Sequence, residues 1–108
     1  MIKTNRPYKR SDRIADEIQH ILSNIFINKF RIPDAGLLTI TNVKITKDLR
    51  ICNVYISLLA PKQEPLAVLE YIIKSSKKIR FYLGNELKSK YVPELKFYYD
   101  DTLKKAEK

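Results

Sequence analysis

Residues 71–87 read YIIKSSKKIRFYLGNEL, and the way this stretch divides decides the fold. Leu66, Leu69, Ile72 and Ile73 recur at helical spacing, which predicts a helix over about Glu64–Lys74. Ser75-Ser76 interrupts that pattern. Ile79, Leu83 and Leu87 then follow at spacings of four, the signature of one buried stripe on a further helix. The stretch is therefore a helix, a kink and a helix. Gly84 costs that second helix about 1 kcal/mol relative to alanine, so it marks either a close backbone approach or a weakened helix end. Tyr91-Val92-Pro93 breaks the helix, since a residue before proline is steered away from the α region.

Working outward, Leu95, Phe97 and Tyr99 alternate with Lys96, Tyr98 and Asp100, which predicts a closing strand. Upstream, Pro61 and Pro65 frame a connection. Before it, Cys52, Val54, Ile56 and Leu58 alternate with Asn53, Tyr55 and Ser57. Leu38–Thr46 is rich in Thr, Ile and Val and is expected to place Thr41, Val43 and Ile45 on one face. The Lys47-Asp48-Leu49 turn makes these two strands an antiparallel hairpin. At the start of the chain Ile14, Ile18, Ile21, Leu22, Ile25 and Phe26 define a first helix from Arg13 to near Lys29, with Ser11 or Asp12 as its N-cap. Pro33 and Gly36 separate it from the hairpin.

The order is thus α-β-β-α-α-β, an α+β fold in which a three-stranded sheet carries helices on one face. That is the chain order of a type II KH domain, where a helix pair and its connecting turn contact nucleic acid. At 108 residues the chain is expected to form a single domain over 1–108, with a basic N-terminal arm at 1–12 and a polar tail at 101–108.

The charge is unevenly placed. The formal net charge is +9; residues 1–13 contribute +4 and residues 74–90 contribute +5, while the rest of the chain is balanced. Localised positive charge in a small domain implies a polyanionic partner, nucleic acid first. At 100° per residue from Lys77, the side chains of Lys77, Lys78, Phe81, Asn85 and Lys88 share the face opposite the buried stripe. Lys74 joins them only if the axis continues without a large kink. Backbone N–H groups after Ser75-Ser76 offer a seat for phosphate, which the lysines would reinforce. Phe81 is either a platform for an unpaired base or a core aromatic, and Tyr82, Tyr98 and Tyr99 share that ambiguity.

Other chemistries find little support. Cys52 lies on an apolar strand face and reads as a small buried hydrophobe; His20 reads as a helix-surface residue. One His and one Cys make no zinc site, and Gly36 and Gly84 make no phosphate loop. Ser75-Ser76-Lys77-Lys78 matches S-x-x-K, but the S-D-N and K-T-G companions of that hydrolase motif are absent. Asp100-Asp101 reads as a capped or solvated turn rather than a metal pair. No enzyme activity and no cofactor are expected. No apolar run approaches the roughly 20 residues that cross a bilayer, and the basic start lacks a signal peptide's apolar stretch. A cytoplasmic setting is therefore expected, with an organelle-targeting start as the alternative.

Four collinear segments resemble the bacterial ribosome-binding factor A family: RIADEIQHIL (13–22), RIPDAGLLTITNVKITKDLRICNVYISLL (31–59), IRFYLGNEL (79–87) and VPELKFYYDDTL (92–103). The resemblance implies a KH-type fold and a monomeric factor that binds the small (30S) ribosomal subunit and its 16S rRNA. It also implies a role in late maturation and 5′-end processing, and importance at low temperature. The family carries A-x-G at the interhelical kink, where this chain has Ser75, Ser76 and Lys77; a lysine at the glycine position would resist positive φ but add a phosphate contact. Many members continue past the last strand, and functions of that segment are not carried over. The expected RNA-contacting residues are Ser75, Ser76, Lys77, Lys78, Phe81, Lys88, Lys74, Arg80 and Lys90, with Arg6, Lys9, Arg10 and Arg13 as a second clamp. Two further readings stand beside this one. They are a generic KH-type binder of single-stranded RNA or DNA, and a protein-interaction module that pairs through a strand edge.

Overall fold

The computed structural model describes residues 9–88 and 91–101. Its elements follow the expected order: α1 (Arg10–Asn28), β1 (Leu37–Ile45), β2 (Ile51–Leu59), α2 (Pro65–Lys74), α3 (Ser76–Glu86) and β3 (Glu94–Tyr99). β2 is central, antiparallel to β1 and parallel to β3. A parallel pair needs a crossover, and the α2–α3 unit provides it.

α1 begins one turn earlier than its apolar pattern. Lys9 caps it, and Asp12, at the third helical position instead of the cap, accepts the Lys9 N–H at 3.0 Å and places a carboxylate at the positive end of the helix dipole. The buried stripe is Ala15, Ile18, Leu22, Ile25 and Phe26, as a 3.6-residue period requires. His20 is exposed.

β1 departs from simple alternation. A bulge between Ile40 and Asn42 inserts Thr41 as an extra residue, so the inward pairs are Leu38–Leu58, Ile40–Ile56, Val43–Val54 and Ile45–Cys52. The expected Thr41/Val43/Ile45 face is corrected to Ile40, Val43 and Ile45, because a period of two does not run through a bulge. The bulge keeps both halves of the strand facing the helices. Thr41 instead donates its hydroxyl to the Asp100 carboxylate at 2.7 Å, and Gln19 of α1 donates its amide to the Ile40 carbonyl at 3.0 Å. The Gln19 bond satisfies a backbone carbonyl beside the bulge.

The core lies between the sheet and the helices. Ile18, Leu22, Val54, Ile56, Ile72, Ile79 and Leu83 are all essentially inaccessible. Cys52 is equally buried, and that burial pushes its thiol pKa up to about 12. Gly36, with φ +76°, lies against β2's end, where a Cβ would overlap the Leu59 carbonyl oxygen.

Candidate nucleic-acid interface

The kink is a single residue. Ser75 has φ −98° and ψ 9°, and its N–H donates back to the Tyr71 and Ile72 carbonyls, so α2 closes on it and α3 starts at Ser76. Positive φ outside glycine occurs only at Asp34, Leu49 and Ala60 among the described residues. Lys77 therefore stands inside α3 without needing the left-handed conformation, so a lysine at this position is compatible with the bend. Ser75 and Ser76 are half-buried, and Ser75, the N-cap of α3, makes no side-chain capping hydrogen bond.

α3 divides as its wheel predicts. Ile79 and Leu83 are inaccessible and Leu87 nearly so, while Lys77, Lys78 and Asn85 are exposed and Phe81 is 66% exposed. Phe81 is thus a surface aromatic, set edge-on to the half-buried Tyr82 at 6.2 Å between centroids. Lys74, one residue before the kink, is exposed and pairs with Glu70 one turn back at 3.8 Å. Its ion pair is solvent-exposed and worth little, so the ammonium is readily redirected.

Arg80 and Lys88 stand differently from the other cations. The Arg80 guanidinium donates to the Val92 carbonyl from Nε and Nη2, at 3.2 and 2.6 Å, and to the Pro93 carbonyl from Nε at 3.1 Å. It stitches α3 to the chain entering β3. Gly84 lies at the same seam: a Cβ there would stand 3.3 Å from Val92 Cγ2, so a larger residue would press on that side chain. Lys88 lies beyond the end of α3, whose C-cap Leu87 is extended, so the helical wheel does not carry it onto the Lys77 face. Its backbone N–H instead meets the Glu17 carboxylate of α1 at 3.5 Å. Arg13 precedes Glu17 by one turn, and Arg10 and Arg13 are both exposed. Of the expected contact residues, Lys74, Lys77 and Lys78 thus lie at the bend, while Lys88 sits past the helix end with its backbone against Glu17 of α1. Arg6 and Lys90 lie outside the described residues.

No group of three or more His, Cys, Asp or Glu side chains suited to a metal occurs among the described residues. The features that sequence reasoning missed are the Arg80 stitch and the tyrosine pair formed by Tyr55 and Tyr98. The second was signalled by two outward strand positions, but only the parallel β2–β3 register brings them together.

Comparison with known proteins agrees with this architecture. The profile of the family described as Ribosome-binding factor A matches residues 10–108. Ribosome-binding factor A of Chromohalobacter salexigens is 32% identical over 108 aligned residues, covering 95% of this chain and 80% of its own. The crystal structure of ribosome-binding factor A from Thermus thermophilus superposes with a TM-score of 0.71 at 19% identity, over 84% of this chain and 97% of that one. A homology model of Thermus thermophilus ribosome-binding factor A, fitted into a cryo-electron microscopy map of a complex of 30S with that factor, gives a TM-score of 0.69 at 19% identity, over 82% and 93% of the two chains. With the profile spanning nearly all of the sequence and the helix–kink–helix crossover in place, this chain belongs to the ribosome-binding factor A family.

Proposed function

We propose that this chain is a non-catalytic assembly factor that binds the immature small ribosomal subunit through 16S rRNA and assists its late maturation, including 5′-end processing. The observation that carries the reading is the α3 surface: Lys77, Lys78, Phe81 and Asn85 all face solvent while Ile79 and Leu83 anchor the helix from behind. Lysines supply phosphate affinity without reading sequence, and an exposed aromatic beside them accepts an unpaired base. Family membership supports the same reading, as does the 30S complex known for the Thermus relative.

In this reading Ser75, Ser76, Lys77, Lys78 and Phe81 make the principal contact, and Lys74 turns from Glu70 to phosphate. Arg80 holds the helix from its edge. Lys88 and Lys90 add phosphate contacts, and Arg6, Lys9, Arg10 and Arg13 form the second clamp of a single domain. The factor works as a cytoplasmic monomer and matters most in the cold, when rRNA rearrangement is slow. Charge reversal at both Lys77→Glu and Lys78→Glu is expected to abolish co-sedimentation with precursor small subunits while leaving the circular dichroism spectrum intact. Unchanged co-sedimentation would overturn this assignment of the surface. Selective association with precursor over mature subunits separates an assembly factor from a generic single-stranded binder, which would bind random oligonucleotides equally well.

A further inference from the structure

The helices cover one side of the sheet, and the other side presents two cross-strand rows in register. One row is Lys44, Asn53 and Lys96; its neighbour is Asn42, Tyr55 and Tyr98. Each of these positions alternates with an inward residue: Val43 follows Asn42, Val54 follows Asn53, and Phe97 lies between Lys96 and Tyr98. The tyrosine rings stack, with centroids 5.3 Å apart and planes 25° apart, and Tyr98 keeps 42% of its surface exposed. Lys44 and Lys96 are exposed and enter no ion pair found among the described residues. Acidic groups on this side lie at the two ends of β3. Glu94 stands opposite Ile51, and the Asp100 carboxylate is engaged by the Thr41 hydroxyl.

Aromatic side chains on an open sheet are a known way of holding unpaired bases, because every base has a face to stack and stacking needs no particular sequence. Cations at the next row then meet the phosphates. We propose that this face of the sheet is a second RNA-contacting surface, on which an unpaired base extends the Tyr55–Tyr98 stack and Lys44 and Lys96 neutralise the adjoining phosphates. The proposal rests on the reading of this chain as an RNA binder. It adds a surface on the layer opposite α3, so that one small domain can bridge two RNA segments.

The test uses the full chain with fluorescein-labelled octauridylate and octaadenylate in anisotropy titrations, followed by ultraviolet cross-linking and peptide mapping. Tyr98→Ala is expected to weaken binding roughly five- to hundredfold. Tyr98→Phe, which keeps the ring and the strand packing, leaves affinity unchanged. The double variant Lys44→Glu, Lys96→Glu lowers the slope of log affinity against log salt by about 2. Cross-links fall on the peptides holding Tyr55 and Tyr98, and they persist in the Lys77→Glu, Lys78→Glu variant even as subunit association is lost. If Tyr98→Ala binds like the unaltered chain, or cross-links confine themselves to α2 and α3, the sheet face is not an RNA site and the tyrosine pair only packs the sheet. Failure of both oligonucleotides to bind a folded chain that still joins the subunit overturns the sheet proposal while sparing the α3 surface.

Discussion

The outward face of α3 and the seam along its edge use the same residue chemistry for opposite ends. On the face, Lys77 and Lys78 hold their charges in water, and neither enters an ion pair found among the described residues. At the seam, three residues on, Arg80 spends its guanidinium on the carbonyls of Val92 and Pro93. Those two carbonyls belong to the chain entering β3, and proline removes the backbone donor that a neighbouring turn would otherwise use. Arginine suits the task because its planar fork reaches two acceptors at once, whereas an ammonium on a flexible stem does not. A positive charge in a sequence is therefore not yet a binding group; whether the fold has already consumed it decides.

Removing the support behind the comparison gives the largest effect. Leu83→Ala, at an inaccessible position, is expected to cost about 2–5 kcal/mol in urea unfolding, because the transfer term and the residual cavity add. A smaller cost at Leu83 would mean that α3 is not anchored by its inward stripe, and the exposed face would lose its rigid backing. Arg80→Ala comes next, at about 1 kcal/mol, since two carbonyls lose a charged donor at a site that water reaches. Lys77→Ala and Lys78→Ala should each stay within about 0.5 kcal/mol of the unaltered chain. Equal stability losses for Arg80 and Lys77 would erase the distinction between seam and face. Arg80→Lys sharpens it: if the fork matters, the lysine variant unfolds like Arg80→Ala rather than like the parent chain.

Much of this was legible in the sequence, for reasons that differ by element. The helices α1, α2 and α3 announce themselves because each buries one stripe, and burial on one side is what produces a 3.6-residue period. The kink at Ser75-Ser76 and the inward set Ile79, Leu83 and Leu87 follow from the same logic. Period-two reasoning failed at Thr41, because a bulge changes the count without changing the residue types. Lys88 was misplaced because the wheel assumes a helix that in fact ends at Glu86. Arg80's engagement was invisible for a deeper reason: its acceptors are backbone carbonyls, which every residue possesses, so no side-chain pattern advertises them. The Tyr55–Tyr98 stack required knowing that β3 runs parallel to β2, and that pairing is a property of the closed sheet rather than of either strand alone.

The smallest effect tests whether an anion can be consumed by the backbone in the same way. In the β1–β2 turn the Asp48 carboxylate accepts the Thr46 hydroxyl at 2.6 Å and the Arg50 N–H at 3.1 Å, while Leu49 between them takes φ +62°. The Thr46 hydroxyl foremost, then the Arg50 N–H, stabilise the charged form and hold the Asp48 pKa below its ordinary value of 3.8. A carboxylate whose folded pKa is depressed favours the fold above the unfolded value, and that contribution disappears as pH falls through the folded value. The turn should therefore tighten as pH rises through the low-acid range and gain nothing further near neutrality. Carboxyl resonances followed by nuclear magnetic resonance give the titration directly, and the Arg50 amide should shift with the same midpoint. Asp48→Asn, which keeps an acceptor but no charge, should remove that part of the pH dependence and leave the hairpin register intact. An Asp48 that titrates at the ordinary carboxylate value, with an Arg50 amide indifferent to it, would mean that the turn is set by backbone geometry alone.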